Sequence, residues 1–154
     1  MVIFMDLPSD QEIEVFENVV LQKVYHFTQR ALIREALQGS APFNAGGNKT
    51  LAMAGDALLD QSLIDQGRSR KKSPEEITNV LNTVASNKNL RDRAIAIGLD
   101  PFLIKNPGQW GVIAGKNVMA DAMQAIIGAV YYDSNKNRED CERVMAVLGI
   151  SWPE

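Results

Sequence analysis

An all-α fold is what this sequence predicts, and three observations predict it. Apolar residues recur at three- and four-residue spacing through most of the chain, helix starts and stops punctuate it, and no useful run alternates as a strand would. With 154 residues, 45% apolar and 23% charged, the chain suits a single domain around one core, spanning residues 1–154.

The elements follow in order. Ser9 with Glu12 makes a capping box, and Ile13, Phe16 and Val20 continue at helical spacing. A break at His26 to Thr28 leads to a second helix carrying Leu32, Ile33, Ala36 and Leu37. Gly39 to Asn48 reads as a loop, rich in glycine and asparagine. A third helix is expected from Lys49 to Gln66, stopped by Gly67. The basic run Arg68, Arg70, Lys71 and Lys72 connects it to Ser73-Pro74-Glu75-Glu76, a cap with proline at the first helical position. That fourth helix carries Ile77, Val80 and Leu81, and a fifth runs from Asn89 to Ile97, ending at Gly98. Asp100-Pro101 starts a short turn, and Lys105 to Gly115 is a second glycine-bearing loop, which Trp110 anchors. The longest apolar stripe is Met119, Met123, Ile126, Ile127 and Val130, on a helix from Lys116 to Tyr132. Asp133 to Asn137 is a polar break, and a last helix from Arg138 to Leu148 ends at Gly149.

Composition narrows the chemistry. Cys141 and His26 are the only cysteine and histidine, so thiolate and imidazole metal clusters are excluded. Any metal would be held by oxygen, which points to magnesium, manganese or calcium. Net charge is −3, against the usual basic balance of a nucleic-acid binder, although the run from Arg68 to Lys72 is locally basic. No apolar stretch is long enough to span a membrane. The opening MVIFMDLPSD has no basic segment before its apolar residues, so no secretory signal is expected. An intracellular protein is expected, in cytoplasm or nucleus, with the mitochondrion as alternative.

Two segments carry the chemical signal. Leu51 to Asp60, LAMAGDALLD, sets Asp56 among Ala52, Ala54, Gly55 and Ala57; a glycine inside a helix costs about 1 kcal/mol relative to alanine, so Gly55 suggests close approach of another backbone. Ala120 to Asp133, ADAMQAIIGAVYYD, repeats the style with Asp121 and Gly128, and Asp121 and Gln124 share a helix face. Two such helices could cross closely and pair Asp56 with Asp121 around a divalent ion. The alternative is tight packing with two unrelated surface aspartates.

These residues resemble the ribonuclease III endonuclease domain. The family signature, roughly N-E-x-L-E-F-L-G-D-A-x-L, is matched in degraded form by Asn48 to Leu59, and the second motif, A-D-x-x-E-A-x-I-G-A-x-Y-x-D, is matched closely by Ala120 to Asp133. Tyr25 to Leu37 resembles the opening helix pair, and Ala85 to Leu90 with Ile97 to Asp100 resembles the middle segment. The similarity covers residues 20 to 148.

The resemblance implies a dimer-forming helical bundle that receives double-stranded RNA in a valley, with four acidic ligands per subunit holding magnesium for hydrolysis. Here Asp56 and Asp121 remain as the metal ligands, while Ala52 and Gln124 replace the two glutamates and Lys49 replaces a supporting one. Two carboxylates could hold one Mg2+ or Mn2+ weakly, and a two-ion mechanism would need compensation from Asp60 or Glu35, which otherwise read as surface acids. Met53 replaces the signature aromatic and, with Gly55, is the expected dimer contact. Arg68, Arg70, Lys71 and Lys72 are the expected RNA contacts, or else a solvated loop. The chain stops at Glu154, so a separate double-stranded-RNA-binding domain is not expected. His26 is expected to be packed rather than catalytic.

Three readings follow: a functioning endonuclease with compensating ligands; a dimer, or a heterodimer with an active relative, that grips duplex RNA without efficient cutting; and a structural subunit of a ribonucleoprotein such as a mitochondrial ribosome. The second is the expectation.

Overall fold

The computed structural model describes residues 7–39, 46–104 and 116–154. The loop at 105–115 with Trp110, and residues 40–45 of the earlier loop, lie outside the described residues. The fold is all-α, as expected. Its helices are α1 (Asp10–Val19), α2 (Arg30–Ala36), α3 (Lys49–Ser69), α4 (Pro74–Val84), α5 (Asn87–Ala96), α6 (Lys116–Asp133) and α7 (Arg138–Leu148), with a 3-10 turn at Asp100–Phe102. Among the described residues no strand forms; Gln38 and Ile104 make one isolated bridge.

The capping signals act as read. Ser9 Oγ accepts from the Glu12 N–H at 3.1 Å while Glu12 returns a bond to the Ser9 N–H, and Ser73 and Glu76 do the same at α4. Gly149 ends α7 with φ +80°, where a side chain would be strained. The first break comes earlier than expected: α1 ends at Val19, and Gln22 and Lys23 enter the left-handed region.

Gly67 does not stop α3. The helix runs on to Ser69, and the turn is made at Lys71, φ +58°. Gly67 is buried instead, and a Cβ there would sit 2.6 Å from both Ile77 and Trp152. Its smallness lets α4 and the C-terminal segment close on α3.

Helix α6 is the centre of the bundle, packed by α2, α3, α5 and α7. The expected stripe Met119, Met123, Ile126, Ile127 and Val130 is fully buried, joined by Ala122, Ala125 and Ala129. Cys141 is buried against α6, and desolvation pushes its thiol up to about 11, out of the reactive range.

The end of α6 fixes the start of α2. Asp133 accepts from the Tyr25 hydroxyl at 2.6 Å, the Thr28 N–H at 3.0 Å and the Gln29 N–H at 2.6 Å. Burial and then this carboxylate push the Tyr25 phenol well above its usual range. Asp133→Ala strands three donors, so a loss of about 2–4 kcal/mol is expected in urea unfolding. Asp133→Asn should recover part of it.

His26 is exposed, not packed: its side chain is 69% accessible, and Phe27 fills the junction instead. Its Nδ1 lies 3.0 Å from Glu17, a buried acid that also accepts from the Phe27 N–H at 2.6 Å.

Candidate functional site

The site is set by how closely α3 and α6 cross. A Cβ on Gly55 would lie 2.6 Å from the Gln124 carbonyl carbon, and a Cβ on Gly128 would lie 2.9 Å from that of Leu51. Each helix thus meets the other's backbone at a glycine, as the interior glycines suggested. Neither contact tolerates a side chain, so the separation of the two axes is set by bare backbone.

This crossing joins the two motifs. Gln124 Nε2 donates to Asp56 Oδ1 at 3.2 Å. An ionised carboxylate only accepts, so the amide must present its NH2 end. Asp121 stands one turn before Gln124 on the same face and is half-buried, and Asp56 is exposed. Asn117, a further turn back, accepts from Asn87 of α5 at 3.2 Å. Sequence reading missed this pair, although its spacing from Asp121 and Gln124 places Asn117 on their face. Ala52, in place of an expected acid, is 6% exposed and packs in the core.

The acids proposed to compensate do not complete a cluster. Among the described residues, no three histidine, cysteine, aspartate or glutamate side chains come together to hold a metal. Asp60 is half-buried beside Asp56; burial, then the Asp56 charge, push its carboxyl above the usual value. A raised folded-state pKa means that ionised Asp60 opposes folding above that pKa and has no effect below the unfolded value. Asp60→Asn is therefore expected to raise the melting temperature at neutral pH and leave it unchanged near pH 3, in paired thermal melts.

The donor set does not fit the two-ion arrangement that the resemblance implies. One acidic position holds a buried methyl group. Another holds an amide whose NH2 already occupies an Asp56 oxygen.

The expected RNA contacts are not one free patch. Arg70 pairs with Glu154, donates to the Gln66 carbonyl at 3.1 Å and lies 6.0 Å from the Trp152 ring centroid. Lys72 pairs with Glu76 at 3.7 Å. Arg68 and Lys71 are exposed, without an ion pair among the described residues. Arg68 lies about 18 Å along α3 from Asp56, at a rise of about 1.5 Å per residue. Of the expected dimer contacts, Gly55 is buried against α6 of its own chain, whereas Met53 is 72% exposed. No described helix is long and apolar enough to cross a membrane.

Comparison with known proteins agrees with this fold. The Ribonuclease III domain profile matches residues 49–135, which hold α3, α6 and the Asp56–Gln124 contact. Ribonuclease 3 of Shewanella piezotolerans is 30% identical over 125 residues, 79% of this chain and 54% of that protein. Ribonuclease 3 of Oleidesulfovibrio alaskensis is 27% identical over 149 residues, 91% of this chain and 65% of that protein. The chain spans about half the length of the first curated relatives it matches. Two structures of the nuclease domain of ribonuclease III from Campylobacter jejuni share the fold. Their TM-scores are 0.74 and 0.73 at 19% and 20% identity, covering 86% and 88% of this chain and 95% and 92% of theirs. One of them is described as flexible in the region of dimer formation. A profile match over more than half of the residues, on the two helices whose crossing makes the site, places this chain in the ribonuclease III family.

Proposed function

We propose that this chain acts on double-stranded RNA as a dimer, holding the duplex and cutting it poorly or not at all. The observation that carries this reading is the Gln124 amide bonded to Asp56, in the position where the family motif supplies a glutamate. With Ala52 in the core as well, two of the four acidic motif positions, Asp56 and Asp121, keep a carboxylate, and Asp60 beside Asp56 lies outside the motif set. Little negative charge remains to concentrate magnesium or manganese there.

Met53 supports the dimer. Its large apolar side chain, on the second turn of α3, is 72% exposed and suits cover by a second copy of the same face. The loss of two acids also lowers repulsion towards phosphate, and Lys49 is exposed on α3 two turns before Asp56. An intracellular location accompanies this reading.

Filter binding with long duplex RNA tests it. Binding is expected at low salt and should weaken steeply as salt rises. Lys71→Ala with Arg68→Ala should reduce it more than Arg70→Ala, because Arg70 is already paired with Glu154. Undetectable binding at low salt would reject the reading.

A further inference from the structure

We infer that the exposed amides Asn117 and Asn87, in line with Asp121 and Gln124, bind ribose 2′-hydroxyl groups in the minor groove of duplex RNA and so let this chain tell RNA from DNA. The inference deepens the reading above and rests on it for the duplex ligand.

The amides stand on a rigid base. Asn117, Asp121 and Gln124 share one face of α6 and span about 10 Å at a rise of about 1.5 Å per residue. At one end of this row Gln124 reaches Asp56 on α3, and at the other Asn117 reaches Asn87, the first residue of α5. The turn that carries Asn87 is held on both sides. Ser86 Oγ accepts from the Asn89 N–H at 3.1 Å, and Asn89 Nδ2 donates to the Val84 carbonyl at 2.7 Å. Asn117 and Asn87 therefore need little further ordering to meet a ligand.

Their bonding capacity is not used up. Asn87 Nδ2 donates to Asn117 Oδ1 at 3.2 Å, and both residues are exposed. That bond leaves the Asn117 NH2 group, the second Asn87 N–H and Asn87 Oδ1 facing solvent.

The row suits hydroxyls better than phosphates. Neither residues 117–124 of α6 nor residues 52–66 of α3 include a lysine or arginine, so no cation meets a phosphate there. Carboxylates accept hydrogen bonds, and amides both donate and accept. A ribose 2′-hydroxyl is neutral, donates and accepts, and lines the wide, shallow minor groove of an RNA duplex. A DNA duplex offers no such group. The phosphates on either side then fall to exposed cations elsewhere, such as Arg68 and Lys71.

Filter binding in EDTA tests this with two duplexes of one sequence, RNA and its 2′-fluoro form. The fluoro form keeps the A-form shape and every phosphate but loses the hydroxyl. The unmodified chain is expected to bind RNA about 10-fold more tightly than the fluoro duplex. Asn117→Ala and Asn87→Ala should each weaken RNA binding about 5-fold, the scale of one hydrogen bond, and leave fluoro-duplex binding unchanged. Both replaced residues are exposed, so both variants should melt close to the unmodified chain. Arg68→Ala with Lys71→Ala should instead weaken both duplexes by the same factor. Equal binding of the two duplexes by the unmodified chain would overturn the inference and leave the functional reading standing. So would an RNA preference that both asparagine variants retain. Binding of neither duplex at low salt would sink the functional reading, and the inference with it.

Discussion

Gly55→Ala is expected to cost this protein a large share of its stability. Helix propensity alone predicts the opposite, a gain of about 1 kcal/mol. The added methyl, however, would sit 2.6 Å from the Gln124 carbonyl carbon and nearer still to its oxygen. Backbone cannot rotate aside as a side chain can, so α3 must move off α6. Overpacking of flexible core side chains costs about 1–3 kcal/mol, and a backbone clash belongs at or beyond the upper end. The net loss should be about 2 kcal/mol or more, against a total stability of about 5–15 kcal/mol. A fall in melting temperature of about 5 °C or more follows. Gly128→Ala meets Leu51 in the same way and should behave alike. If Gly55→Ala melts higher than the unmodified chain, the helices do not approach as described.

The second large effect is a gain of activity. Ala52→Glu combined with Gln124→Glu is expected to produce Mg2+-dependent cleavage of duplex RNA, about 10²-fold or more above the unmodified chain. That is the scale on which one well-placed electrostatic group changes turnover. Ala52 lies in the core, so its replacement must extend a longer side chain towards the gap, and the single variant should lose stability. Gln124→Glu alone adds charge without completing the set. Cleavage should therefore appear in the double variant and not in either single one. Each variant must first show a cooperative melt, so that failure to fold is not mistaken for failure to cut.

Much of the fold was legible because helices advertise themselves locally. Capping boxes at Ser9 and Ser73, and Gly149 beyond α7, mark boundaries by chemistry confined to a few neighbouring residues. The apolar stripe of α6 is legible for the same reason. Gly67 misled because a glycine after an amphipathic run signals a helix end and a close contact alike, and only the position of Trp152 distinguishes them. His26 and Glu17 were opaque for a related reason: the acid that holds the ring is on α1, across a turn set by two left-handed residues. Asp133 was legible as the last residue of the second motif and the start of a polar break, but its spacing did not reveal that it binds the start of α2 from far along the chain.

At the site, the interior glycines foretold a close crossing, and the two motifs foretold which helices cross. The sense of the Asp56–Gln124 contact was not legible, because the spacing of two segments says nothing of which side-chain atoms meet. Nor could a run of four basic residues reveal that Arg70 is spent on Glu154 and Trp152, which lie at the other end of the chain.

Single-turnover incubation of the unmodified protein with long duplex RNA in excess Mg2+ or Mn2+, beside Asp121→Asn, is the most direct measurement. The two-carboxylate site predicts bound but essentially intact RNA, with the same trace in both proteins. Rapid cleavage by the unmodified chain, abolished by Asp121→Asn, would contradict it.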